Sequence, residues 1–382
     1  MVIKSSDIKA AYYQGNEAIA MYKGKALIWK KNEYHGFIVS YDVTSKSSAT
    51  TILYSTTNID SILWLDNDTA ITPATAYTFP TTGAVALLVT PVGSGIGILY
   101  RRFYGCTQLT HYKHAGIDTS AVKNFSYMFY GCTALESVNE IDTSAATTCE
   151  YMFYNCKRLD TIPTLETPKC TLFTSMFYGC TLITTIPTLN TSAGTSFASM
   201  FRGCTALTSV PQLDTARGTN FYSMFYGCTA LASIPSINTA KNTNFGHMFR
   251  GCTSLTAATT LDTAEGTNFN YMFYGCTKLV SVSLDLRNAS SLTSIFSGCT
   301  AITTALLSYI GQNSALTTAD LSGLTVWGQG SGSVSLHRSI ALLYDRATAG
   351  YDTCTLKLSS ATKALLSDSE ISQITAKGFT LS

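Results

Sequence analysis

Nine cysteines at a near-constant spacing are the first residues that could do chemistry, because a row of thiols can form disulfides or hold a soft metal. They are Cys106, Cys132, Cys156, Cys180, Cys204, Cys228, Cys252, Cys276 and Cys299, each closing a Phe-x-Gly-Cys tetrad in which Asn155 once replaces the glycine. The intervals are 26 residues, six of 24, and 23. In-register cysteines on stacked coils would have Cα atoms ~4.8 Å apart, within disulfide range. Parallel side chains keep the Cβ atoms near the same separation, which is too far, and a straight ladder supplies no tetrahedron for a metal. Buried free thiols acting as small apolar fillers are therefore expected. Cys149 replaces the phenylalanine found at Phe125, Phe173 and Phe197, and reads as core as well.

Other groups weigh similarly. His111-x-x-His114 would share a face of a helix, but no carboxylate or cysteine accompanies it at ligand spacing, so exposed turn histidines are expected. A ladder of Asp118, Asp142, Glu166, Asn190, Asp214, Asn238 and Asp262 mixes acids with amides, which weakens a cation site and suits turn capping. No nucleophile elbow, phosphate loop or catalytic dyad is present, so neither enzyme activity nor a cofactor is expected. The position two before each tetrad cysteine holds Tyr104, Tyr130, Tyr154, Tyr178, Arg202, Tyr226, Arg250 and Tyr274, then Ser297. The preceding phenylalanine points inward, so this position turns outward by ~100°. A Tyr and Arg stripe has the composition of binding hot spots. Tyrosines packed along the convex side to shield the turns beneath them are the reading expected first, with the stripe as a candidate binding surface beside it.

These residues must be positioned by a repeat, and one unit, 224–247, reads MFYGCTALASIPSINTAKNTNFGH. Phe221, Met224, Phe225 and Cys228 fall at i, i+3, i+4 and i+7, which predicts a short helix ended by Gly227. Leu231, Ile234 and Ile237 suit a short strand and bend. Pro163, Pro187, Pro211 and Pro235 lack a ladder donor, which limits the parallel strand there to two or three residues. A 24-residue unit buries its apolar face only against its neighbours. The expected fold is thus an α/β repeat, a leucine-rich-repeat solenoid of about nine coils and ~40 Å.

Composition narrows the function. The chain has 382 residues, 46% hydrophobic and 13% charged, with 25 Lys+Arg against 23 Asp+Glu. A net charge of +2 recruits neither nucleic acid nor an anionic membrane. No run approaches the ~20 apolar residues of a membrane span, and no secretory signal peptide is visible at the start.

The unit Asp-Thr-(Ser/Ala)-x-x-Thr-x-Phe-x-x-Met-Phe-x-Gly-Cys-Thr-x-Leu-x-x-Ile-Pro resembles the BspA-like leucine-rich repeat of bacterial surface proteins, over about residues 99–305. That resemblance implies a curved right-handed solenoid for adhesion or recognition at a cell or virion surface, with no catalytic residues. The opening run KAAYYQGNEAIAMYKGKALIW resembles, over a short stretch, virion and tail-associated proteins of phages of gut bacteria.

Three parts are expected: an N-terminal β-rich attachment and capping block, 1–98; the solenoid, 99–305; and a C-terminal α/β cap, 306–382. In the first, IKAAYYQG, IAMYKG and ALIWKK suit a hairpin, and GFIVSYDV, TTILYST, SILWLD, TAYTFP and AVALLVTP an all-β domain or sandwich. In the last, 328–335 (GQGSGSVS) reads as a turn, TCTLKLS as a strand and SDSEISQITAKGF as a helix capped by Ser367 or Asp368 and Gly378, with a closing strand. The expected function is a surface-exposed, non-enzymatic virion component that contacts a host-surface protein or glycan through its solenoid. Virion proteins would join through the N-terminal block, and homo-oligomers could form. The alternative is a bacterial cell-surface adhesin.

Overall fold

Repeated apolar positions make the best partner of each 24-residue unit another copy of itself. In the computed structural model the repeats wind accordingly as turns of a β-solenoid, within each of two compact units, residues 1–167 and 168–382. The structure describes residues 20–23, 26–30, 36–43, 50–51, 53, 59–64, 69–78, 83–91, 99–115, 118–139, 141–235, 237–324 and 333–382.

The Phe-x-x-Met-Phe-x-Gly-Cys segment is not the expected helix. From Phe125 to Cys132 the chain makes successive tight turns. The Met128 N–H donates to the Phe125 carbonyl at 3.2 Å, that of Tyr130 to Tyr127 at 3.2 Å, and that of Cys132 to Phe129 at 3.1 Å. Tyr127 and Gly131 adopt φ of 59° and 72°. The intervening N–H groups point along the stack: Tyr127 donates to the Glu150 carbonyl at 2.9 Å, Phe129 to Met152 at 2.9 Å and Gly131 to Tyr154 at 2.7 Å. A helix would spend every one of these donors within its own turn. The winding accepts about 1–2 kcal/mol for a tyrosine at positive φ and obtains a regular ladder between coils.

Stacking in register turns each inward position into a column. The ring centroids of Phe103 and Phe129, and of Phe129 and Phe153, lie 5.6 and 5.5 Å apart. In the second unit Phe177, Phe201, Phe225, Phe249, Phe273 and Phe296 stack at successive separations of 5.7, 5.6, 5.5, 5.7 and 5.9 Å. Phe173, Phe197 and Phe221 form a second column at 5.5 and 5.4 Å. That column explains Gly218: a Cβ there would lie 2.6 Å from the Phe221 ring. The threonine after each Asx position is buried and ties coil to coil, as Thr191 does by donating to the Asp214 carbonyl at 2.8 Å and Thr239 to Asp262 at 2.7 Å.

Among the described residues of the repeat array, regular strands form only near its ends. The coils carrying Pro163, Pro187, Pro211 and Pro235 hold no strand among the described residues, where two or three residues were expected. Proline lacks the N–H that such a ladder needs.

Among the described residues of the first unit there are ten strands: β1 (Ala20–Lys23), β2 (Ala26–Lys30), β3 (Gly36–Val43), β4 (Thr50–Thr51), β5 (Ile59–Trp64), β6 (Thr69–Ile71), β7 (Ala76–Tyr77), β8 (Gly83–Pro91), β9 (Leu109–Ala115) and β10 (Ser137–Val138). The β1–β2 pair is antiparallel, and β4 pairs with β7. The sheet β10-β9-β3-β8-β5-β6 joins N-terminal strands to coil strands, with β3 antiparallel to β9 from Gly36–Ala115 to Tyr41–Leu109. Tyr41 is fully buried, and its hydroxyl is pushed to weaker acidity first by burial and then by Cys106 and Cys132. These strands therefore close the end of the cysteine column. The expected segment IKAAYYQG lies outside the described residues, as do 328–332 of the expected turn.

In the second unit β11 (Ala257–Ala258), β12 (Ser281–Asp285) and β13 (Thr304–Ser308) run parallel. Helix α1 (Ser333–Ala341) packs on β13, and its buried Ser339 hydroxyl donates to the Ala305 carbonyl at 3.2 Å. This helix takes in Ser333–Ser335, which the glycine-rich run had suggested were turn. Strands β14 (Thr318–Asp320), β15 (Cys354–Lys357) and β16 (Phe379–Leu381) form a parallel sheet. Between the last two lie α2 (Ser360–Lys363) and α3 (Asp368–Ala376). Ser367 caps α3 through a capping box with Glu370, and Gly378 follows at φ 82°.

Candidate functional site

The cysteines have no outward chemistry. All twelve are buried thiols. In the coils the Sγ–H donates back to a phenylalanine carbonyl of the preceding coil: Cys132 to Phe103 at 3.0 Å, Cys204 to Phe177 at 3.0 Å, Cys252 to Phe225 at 3.1 Å. Burial pushes the Cys252 thiol up to about 12 and raises Cys204 and Cys228 as well. Neutral pH therefore leaves almost no thiolate to react. Thiol titration of the native chain should find few reactive groups, and denaturation without reductant should release at least nine. A mass spectrum of the native protein with four or more disulfides would refute that.

The polar ladder closes turns. The Asp118, Asp142, Asn190, Asp214, Asn238 and Asp262 side chains each accept the backbone N–H two residues on, at 2.9–3.2 Å. His111 and His114 lie on strand β9, so the helical face they were to share does not exist. His111 is exposed, and Nε2 lies 3.8 Å from Glu136, which pairs with Arg158 at 2.6 Å. Among the described residues no group of three His, Cys, Asp or Glu could hold a metal ion.

The eight stripe residues all sit on the outer side of the turns, half-buried or, for Tyr274, exposed. Within the first unit the structure brings Tyr104, Tyr130 and Tyr154 together, and within the second Tyr178, Arg202, Tyr226, Arg250 and Tyr274. A second column, five residues before each tetrad cysteine and buried only at Ser175 and Ser223, had not been singled out. It holds Arg101, Tyr127, Tyr151, Ser175, Ser199, Ser223, His247, Tyr271 and Ser294, all at φ between 50° and 59°. Its signal was present in the sequence: the position holds only Arg, Tyr, Ser or His, never an aliphatic residue.

The two units use these columns differently. In the first, the rings stack on one another: Tyr104–Tyr130 at 4.6 Å, Tyr130–Tyr154 at 4.5 Å and Tyr127–Tyr151 at 4.7 Å, all within 10° of parallel. Their faces cover each other, so solvent meets ring edges and hydroxyls. Arg101 lies 4.9 Å from the Tyr127 ring and 5.2 Å from that of Tyr100. Burial, then the neighbouring phenol of Tyr151, raises Tyr127; burial, then Tyr104, raises Tyr130.

In the second unit tyrosine and arginine alternate. The Arg202 guanidinium lies 5.4 Å from the Tyr178 ring and 4.3 Å from that of Tyr226. Arg250 lies 5.3 Å from Tyr226, 4.6 Å from Tyr274 and 5.4 Å from Tyr271. Its Nη1 approaches His247 Nδ1 at 3.4 Å, and the His247 ring stacks on Tyr271 at 4.9 Å. Burial, then Arg250 and Arg202, lowers the His247 pKa. The surface thus sets two guanidinium groups among tyrosine rings, an arrangement that can bind and orient a ligand.

Comparison with known proteins follows the repeat. The sequence matches a family described as "Mycoplasma protein of unknown function, DUF285" over residues 97–211, 160–260 and 195–309, together more than half of the chain. No curated protein matches it. It is similar to the structure of a leucine rich cell surface protein from Faecalibacterium prausnitzii A2-165, with 20% identity and a TM-score of 0.28 over 55% of this chain and 76% of that one. It is also similar to a leucine-rich repeat protein from Bacteroides ovatus ATCC 8483, with 16% identity and a TM-score of 0.30 over 72% of this chain and 78% of that one.

Proposed function

Because this chain belongs to the DUF285 family, the family of the BspA-like leucine-rich repeat, we propose that it is a non-enzymatic recognition protein displayed on a biological surface. The observation that carries this reading is the column of Tyr and Arg from Tyr104 to Tyr274, joined at Arg101, Tyr127, Tyr151, His247 and Tyr271 by a second, over an interior filled by phenylalanine, methionine and cysteine. Aromatic rings and guanidinium groups supply much contact area and many donors at low entropic cost, as binding surfaces require. The partner in this reading is a protein or glycan of a host surface.

The N-terminal resemblance to phage proteins favours display on a virion, as a fibre, tail or capsid-decorating component, with residues 1–98 as the attachment block. That block would serve twice, since the β3–β9 pairing also closes the first coil. Among the described residues no helix is long and apolar enough to cross a membrane.

The test uses the full chain. Fluorescently labelled protein should decorate cells in a mixed gut-bacterial suspension, and a variant with Tyr130, Tyr154, Arg202 and Arg250 all changed to serine should lose at least tenfold in bound signal. Absence of decoration refutes the recognition role, and undiminished decoration by the variant removes the stripe from it. An antibody against the chain that labels cell envelopes but not purified virions would replace the virion component by an adhesin.

A further inference from the structure

Arg202 and Arg250 differ from Arg158 and Arg287 in what lies beside them. Arg158 and Arg287 have carboxylates beside them, Glu136 at 2.6 Å and Asp285 at 2.5 Å. The Arg202 and Arg250 guanidinium carbons lie 4.3–5.4 Å from tyrosine ring centroids, with no ion pair among the described residues. Apart from the Arg250 Nη1 contact to His247 at 3.4 Å, the in-plane N–H groups can be offered to a ligand, and they fit a carboxylate or sulfate in a two-pronged geometry. We propose that this Tyr178–Arg202–Tyr226–Arg250–Tyr274 segment binds an acidic polysaccharide whose carboxylate or sulfate groups meet the two guanidinium groups. The inference rests on the reading of the chain as a recognition protein and names the class of its ligand.

Three observations favour that class. The first is spacing. Arg202 and Arg250 occupy equivalent positions two coils apart, and at ~4.8 Å per coil their anchors are about 10 Å apart. That is close to one disaccharide of an extended chain, so a polymer with one charge per disaccharide would meet both cations in register. The second is the intervening chemistry. The Tyr226 ring, between the two arginines, and the Tyr178 and Tyr274 rings outside them are polar-tipped and half-buried or exposed, so their hydroxyls and edges suit sugar hydroxyls. The third is the local field. His247 feels both arginines as positive charges. A nucleic acid would be drawn by a broad basic excess, and this chain has 25 basic against 23 acidic residues.

Binding of the full chain to hyaluronate and to heparin, with dextran and single-stranded DNA alongside, tests the proposal. At least one acidic polysaccharide should bind, and Arg202→Gln with Arg250→Gln together should weaken it more than tenfold while leaving the thermal midpoint in place. Dextran should not bind. NMR titration of His247 adds a local readout: an anion seated on the arginines moves its pKa upward, and binding elsewhere leaves it where it was. Failure of both polysaccharides, equal binding by the double variant, a stationary His247, or equal affinity for DNA each overturns the assignment. If the chain decorates cells yet ignores both polymers, this inference falls and the recognition reading stands. If it decorates none, that reading fails at its own test.

Discussion

Replacing Phe225 by alanine is expected to cost ~3–5 kcal/mol of stability, the range for a buried aromatic truncated to a methyl group. The ring is fully buried between those of Phe201 and Phe249, at 5.6 and 5.5 Å. The hole cannot close by collapse. The Phe201 N–H donates to the Met224 carbonyl and the Phe225 N–H to the Met248 carbonyl, both at 2.9 Å, and these bonds hold the coils apart at their ladder spacing. Because each coil touches only its neighbours, the damage should be felt locally and then as a lower midpoint in denaturant melts. Tyr226→Ala, one residue further on and half-buried, is the control and should lose far less. A loss below about 1 kcal/mol for the Phe225 variant would mean that the phenylalanine column is not the core.

A comparable loss, about 4 kcal/mol, is expected for Arg346→Met in the C-terminal region, from four carbonyls each losing a donor worth ~1 kcal/mol. Arg346 is 1% exposed and has no carboxylate beside it in its hydrogen-bond set. Nη1 donates to the Gly311 and Asn313 carbonyls at 2.8 and 3.0 Å, Nη2 to Ser314 at 3.3 Å and Nε to Asp352 at 2.9 Å. The Tyr351 ring lies 5.5 Å from its carbon centre. The residue thus binds the carbonyls of one turn to the loop before β15. Methionine preserves most of the volume and removes every donor, which separates the hydrogen bonds from packing. Arg346→Lys should fall between the two, because one ammonium cannot reach four acceptors in a fork. A methionine variant that melts with the wild type would show that water replaces the guanidinium at no cost.

Much of this architecture was legible in the sequence because it is periodic. Equal spacing of Cys132 through Cys276 places equivalent residues above one another, so the columns of phenylalanine, cysteine and threonine follow from the count of residues alone. The outward side of the stripe follows from the inward phenylalanine before it, and the end of α3 from Ser367, Glu370 and Gly378, whose effects act within a few residues.

What the tertiary structure decided involves partners that no local pattern contains. Phe221, Met224, Phe225 and Cys228 satisfy a helical spacing, yet the coil is built from turns, because N–H groups directed at the next coil replace the bonds a helix would make within itself. A tyrosine at φ 59° is unfavourable by itself and becomes tolerable at Tyr127 only because Glu150, 23 residues on, receives its N–H. The β3–β9 pairing that closes the first coil joins Ser40 to His111, 71 residues apart. Arg346 looks like any surface arginine until Gly311 and Asn313 fold against it. The stripe shows the same division: its composition is written in the repeat, whereas the choice between rings stacked on rings and rings clamping arginines depends on which side chain the adjacent coil presents.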